Sequence, residues 1–193
     1  MKRVAKLSMV AFLPILLALT FGCADKVTDS SCVCAQAPAV DSSLMAFLSL
    51  ARSAHHQADL KEEAGDLPGA IEALDKIISG AVGAVASRFE AREVLADTRA
   101  RLSDLRGQLG KHDDAEREIV EGLLFAPKDS YFEGHLHEMR GVNEERRAKV
   151  LAESGDRTGG EAARKKALES FDRAIDVQDR VIRKELSNAG GDE

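Results

Sequence analysis

From Leu44 to the C-terminus the chain carries just two prolines, Pro68 and Pro127, and its apolar residues recur three and four positions apart. Ala70, Ile71, Leu74, Ile77 and Ile78 fall on one face of a helix, and Leu95, Thr98, Leu102, Leu105 and Leu109 keep the spacing of a heptad seam. Ala115, Ile119, Val120, Leu123 and Leu124 form another stripe, as do Ala167, Phe171, Ala174, Gln178, Val181 and Ile182. Ala, Leu, Glu, Lys and Arg dominate this region, all good helix formers, so the expected fold is all-α. With 4% aromatic residues and no Trp, its core has to be built from aliphatic contacts.

The stripes are separated by AGDLPG (64–69), ISGAVG (78–83), LGKHDD (109–114), APKDS (126–130) and SGDRTGG (154–160). These breaks predict six helices, at 44–64, 68–79, 84–109, 113–125, 130–153 and 160–187. Gly65 and Gly110 suit the left-handed position just past a helix end, and Asp66 and Asp114 are the expected caps of the helices that follow.

The segment EEAGDLPGAIEALDKII (62–78) overlies GQLGKHDDAEREIVEGL (107–123), with Gly65 on Gly110, Ala70 on Ala115, Leu74 on Ile119 and Ile78 on Leu123. A weaker third copy, GGEAARKKALESFDRAI (159–175), supplies Ala167, Phe171 and Ala174. These residues resemble the second half of a tetratricopeptide repeat (TPR): Gly-Asp at the turn, small residues where helices cross, apolar residues between, and Pro127 after the second copy. The family's aromatic and Leu-Gly positions in the first helix are missing, and the spacing from Ala70 to Ala115 to Ala167 is 45 and then 52 residues against the family's 34.

The resemblance implies antiparallel helical hairpins stacked as a short TPR-like solenoid, with the first helix of each pair lining a concave surface. On that register Arg52, His55, Asp59 and Glu62 of the first copy, and Asp97 and Asp104 of the second, face an acidic groove suited to a basic or extended segment of another protein. The competing reading is a six-helix bundle whose turns use Gly and Asp, with a structural or oligomerising role through the Leu95 to Leu109 seam.

Ahead of this region, MKRVAK is basic and Leu7 to Phe21 is a 15-residue stretch without charge, ending at Gly22 and Cys23. A helix of that length rises about 22 Å, short of the ~30 Å hydrocarbon core, so the segment reads as a secretory signal. LTFGC (19–23) resembles a bacterial lipoprotein signal, which implies cleavage after Gly22 and lipidation of Cys23. Thr20 and Phe21 are less typical at their positions. Two or more acyl chains give stable anchoring. Ala24 rather than Asp after the Cys implies, by the same resemblance, the periplasmic face of an outer membrane.

The resulting organisation is a signal peptide at 1–22, a lipidated Cys and flexible tether at 23–43, a helical domain at 44–187 and a disordered tail at 188–193. Within the tether, export places Cys32 and Cys34 in an oxidising compartment, where they can pair with each other, pair with another chain, or stay unpaired.

Net charge is −6, and −9 once residues 1–22 are removed, which argues against a nucleic-acid partner. The sequence has no Gly-rich phosphate loop, GxSxG elbow, HExxH or Cys/His cluster of metal spacing. Of the histidines, His55, His56, His112, His135 and His137, the last two are two apart and point away from each other on a helix. Runs such as NEERRAK (143–149) read as solvated faces with i, i+4 pairs. The expected protein is therefore an envelope lipoprotein acting as an adaptor or assembly factor with a protein partner, without cofactor, metal or enzymatic activity. A small-ligand carrier or enzyme is a third class for which the sequence supplies no motif.

Overall fold

The fold is that of a computed structural model, which describes residues 41–80, 83 and 85–189. The expected signal segment, Cys23, Cys32, Cys34 and most of the tether lie outside the described residues. Six helices and no strand are present among those described: α1 (Ser42–Glu63), α2 (Leu67–Ser79), α3 (Phe89–Gln108), α4 (His112–Phe125), α5 (Tyr131–Glu153) and α6 (Arg157–Ala189). None of them is long and apolar enough to cross a membrane.

Helices α1 and α2, α3 and α4, and α5 and α6 form three hairpins, and each hairpin packs on the next. The first helices also touch in series, α1 on α3 and α3 on α5, while no extensive contact joins the first hairpin to the third.

Three turns of one design set this arrangement. Gly65, Gly110 and Gly155 have φ of +75°, +72° and +89°, a left-handed conformation that costs other residues about 1–2 kcal/mol. At each turn the glycine N–H donates three residues back, to the carbonyls of Glu62, Gly107 and Ala152. The next N–H donates five back, from Asp66 to Lys61, Lys111 to Arg106 and Asp156 to Leu151, closing the last turn of the helix. Asp66 and Asp156 then accept the N–H of Gly69 and Gly159, both at 2.9 Å.

The expected cap Asp114 does not cap. Helix α4 begins earlier, at His112, behind Lys111, which makes no side-chain cap bond, so Asp113 and Asp114 lie in the first turn, where their charge favours the helix dipole. At the third turn the structure corrects the register of the third copy. Gly65, Gly110 and Gly155 are 45 residues apart in each case, so ESGDRTGG continues the period and Gly160, not Ala167, is the counterpart of Ala70 and Ala115. The mismatch arises because Ala167 and Ala174 are also small and buried on α6, one and two heptads past Gly160.

The 45-residue period repeats in the packing. Ala51, Ala96 and Gly141 are buried at one level of the first helices, and Ala58, Ser103 and Ala148 at the next; Ala70, Ala115 and Gly160 are buried on the second helices. Small side chains let the backbones approach closely. A Cβ on Gly141 would come within 2.6 Å of the Phe171 ring, and one on Gly122 within 2.7 Å of Leu136.

Between the first and second hairpins the core is aliphatic, built on Leu74, Ile77, Leu95, Leu102 and Leu105 with Ile71, Val94 and Phe125 against it. One period on, Ile71, Leu95, Leu102 and Phe125 are replaced by Glu116, Arg140, Arg147 and Ser170. That junction is held by Arg140–Glu116 at 2.8 Å, by the Arg147–Asp113 pair, and by a small apolar cluster of Ala96, Ala100, Ile119 and Leu136. The heptad seam of α3 is spent inside the chain: Leu95, Thr98, Leu102 and Leu105 are buried, and Leu109 alone reaches solvent.

A line of charges crosses the second hairpin. Arg99 sits between Glu118 (2.5 Å) and Glu121 (2.6 Å), and Arg106 joins Glu118 (3.2 Å) to Asp75 (3.0 Å) on α2. Glu118 is 5% exposed, and its removal takes one of two carboxylate partners from each arginine, leaving Arg99 with Glu121 and Arg106 with Asp75. Glu118→Ala is expected to lower stability by about 1.5–3 kcal/mol, the loss of hydrogen bonds between charged groups. Asp179→Ala, which breaks an exposed i, i+4 pair with Arg183, should change it by under about 1 kcal/mol. Urea melts followed by circular dichroism compare the two.

Candidate functional site

A cleft of about 490 Å³ lies between α1 and α3, on the side of the first helices. Its apolar lining is Leu48, Ala51 and Val94, closed by Phe132 from α5; its polar lining is Arg52, His55, His56 and Asp59 on α1 and Glu90, Glu93 and Asp97 on α3. Of the residues expected to share a groove, Arg52, His55, Asp59 and Asp97 meet here. Glu62 and Asp104 do not line it.

Arg101, which sequence reasoning did not single out, organises the α1 side. Its guanidinium reaches Asp59 at 2.6 Å, also pairs with Glu62, and stands 3.3 Å from His55 Nδ1. Asp59 and Glu62 thus share one guanidinium inside the fold, so each is engaged rather than standing free for a partner. The Asp59 carboxyl is held below its ordinary range chiefly by the Arg101 hydrogen bond.

Asp104 has the equivalent role in the next repeat: Arg146 of α5 donates to it at 2.8 Å. Asp59–Arg101 and Asp104–Arg146 are therefore one cross-hairpin pair repeated at 45 residues. That spacing was readable in the sequence once the period was known, because both partners shift together.

His55 bridges the charged end and the buried face. The Thr98 hydroxyl donates to the Val94 carbonyl at 2.7 Å, so at 3.1 Å it accepts from His55 Nε2, leaving Nδ1 unprotonated toward Arg101. Burial pushes the His55 pKa down, Asp97 opposes the shift, and Arg101 adds to it. On the α3 rim, Glu93 is pushed up by burial and by Glu90. Glu90, Glu93 and Asp97 make no ion pair among the described residues, so they are the acids the cleft presents.

The remaining histidines are dispersed. His135 stacks on Tyr131 and approaches Glu138 at 3.2 Å, while His137 faces a separate cleft with Arg140 and Arg173. His112 Nδ1 lies 2.9 Å from Asn143 Oδ1. Among the described residues no group of three or more His, Cys, Asp or Glu is placed to hold a metal ion. What the α1–α3 cleft can do is bind: it combines an apolar floor, which favours burial of a side chain, with unneutralised carboxylates that favour a cation beside it.

No family model matches the sequence, and no curated protein or solved structure matches it at a significant level.

Because its folded pKa lies below its unfolded value of 6.5, His55 contributes stability present above pH 6.5 and lost as pH falls through the folded value. The urea midpoint of the chain is expected to fall on acidification from pH 7 toward 5, and His55→Gln should flatten that limb. An unchanged slope in the variant would show that His55 does not carry it.

Proposed function

We propose that this chain is a lipid-anchored envelope lipoprotein whose helical hairpins, stacked in the manner of TPR repeats, act as an adaptor for a basic segment of a protein partner. The observation that carries the binding role is the α1–α3 cleft, where Glu90, Glu93 and Asp97, without an ion-pair partner among the described residues, stand beside Leu48, Val94 and Phe132. The stacking is supported by the constant 45-residue period, the repeated Gly turns, the small residues at each helix crossing, and first helices that touch only in series. A bundle closed around one axis would bring the first hairpin onto the third.

The acidic surface differs from the one the sequence suggests. Asp59, Glu62 and Asp104 hold the hairpins together through Arg101 and Arg146, so recognition falls to the α3 rim. An extended peptide laid along α3 would place a Lys or Arg against Glu90, Glu93 or Asp97 and an apolar residue over Phe132. Membrane attachment rests on the lipobox-like LTFGC, with Cys23 as the acylated residue and the periplasmic face of the outer membrane as the site.

Charge reversal by E90K/E93K/D97K is expected to reduce crosslinked partner recovered from envelope membranes at least tenfold while leaving the circular dichroism spectrum unchanged. Undiminished recovery would end this reading of the cleft. Independently, Cys23→Ser should abolish incorporation of labelled palmitate and release the protein from the membrane fraction. A wild-type chain that takes up no lipid would remove the localisation.

A further inference from the structure

No other described helix covers the outer side of the third hairpin. On the second helices, Ile78 packs into the core shared with the second hairpin, and Leu123, one period later, packs into the core shared with the third. Leu168, the next in the series, is 60% exposed. Helix α6 continues the same side of its surface with Ile175, Ile182 and Leu186, exposed by 65%, 58% and 68%. A terminal repeat ordinarily carries a polar outer face to keep the stack in water, and a run of four large aliphatic side chains on one side of one helix is instead the signature of a contact surface.

Charges along this stripe select its occupant. Asp172 and Asp179 alternate with the apolar residues at steps of four and three, giving Leu168, Asp172, Ile175, Asp179, Ile182, and Asp176 lies beside them. Asp172 and Asp176 make no ion pair among the described residues, and Asp179 holds only the exposed Arg183, at 2.7 Å. A second copy of this chain is a poor fit. Parallel pairing sets each Asp against itself, and the antiparallel register that matches Leu168 with Ile182 sets Asp172 of one copy beside Asp179 of the other.

We infer that the outer face of α6 is a docking surface for an amphipathic helix of a partner protein that carries aliphatic residues and Lys or Arg at alternating heptad positions, seated where a fourth hairpin would pack. This surface is separate from the α1–α3 cleft and does not depend on it.

The test uses the full-length chain and two synthetic 21-residue helices of identical leucine spacing, one with Lys and one with Glu at the alternate seam positions, followed by fluorescence anisotropy. The Lys helix is expected to bind and the Glu helix to bind at least tenfold more weakly. D172K/D176K/D179K should reverse that order, and Ile175→Glu should abolish binding of both, while E90K/E93K/D97K in the cleft leaves them unchanged. Equal affinities of the aspartate variant and the wild type for the two helices would overturn the proposal. So would a wild-type dimer in sedimentation that Ile175→Glu converts to monomer, because the face would then belong to a second copy.

Discussion

Close approach of helices at small residues is the constraint on which the rest of this structure depends. Ala51, Ala96 and Gly141, with Ala58, Ser103 and Ala148, leave no bulk at the levels where the first helices meet their neighbours. Larger residues there would push the helices apart, and the dispersion contacts of the leucines between them would weaken with a fraction of an ångström of separation. The glycine turns serve the same end, since a left-handed residue just past the helix brings the chain back at once and keeps both arms of the hairpin in register.

The two junctions between hairpins use this frame differently. The first buries Leu74, Ile77, Leu95, Leu102 and Leu105 and is held by non-directional burial. At the second, four apolar positions of the first have become Glu116, Arg140, Arg147 and Ser170, so orientation there depends on paired charges whose geometry has to be kept. The chain thus has a strongly apolar junction between α2 and α3 and a charge-latched one between α4 and α5. The cross-hairpin pairs Asp59–Arg101 and Asp104–Arg146 run through both and tie successive first helices at the same level.

Much of the helical pattern was legible. Stripes at three and four predicted six helices, with the break at AGDLPG, its cap Asp66 and the Gly65 turn in their places. Less legible were the ends: α3 starts at Phe89, five residues later than expected, because residues 85–88 form a turn with the buried Val85, and α4 and α6 start earlier than their acidic or Gly-rich flanks suggested. Several apolar residues assigned to the stripes, Val120, Leu124 and Ile182, face solvent, since α4 and α6 bury only the sides turned toward neighbouring helices. Of the six groove residues, four share a cleft. The other two, with Asp59, turn out to be partners of arginines that lie far from them in sequence.

By itself the sequence determined the secondary structure and its period, because helix propensity, apolar spacing and left-handed glycines act over a few residues and need no distant partner. Which charges are spent and which are available was decided only by tertiary structure. Asp59 and Asp97 look alike in a linear chain; the packing of α1 on α3 puts Arg101 against the first and leaves the second facing open space. An ion pair forms where two side chains are brought within a few ångströms, and that proximity is a property of the stacked hairpins rather than of either residue.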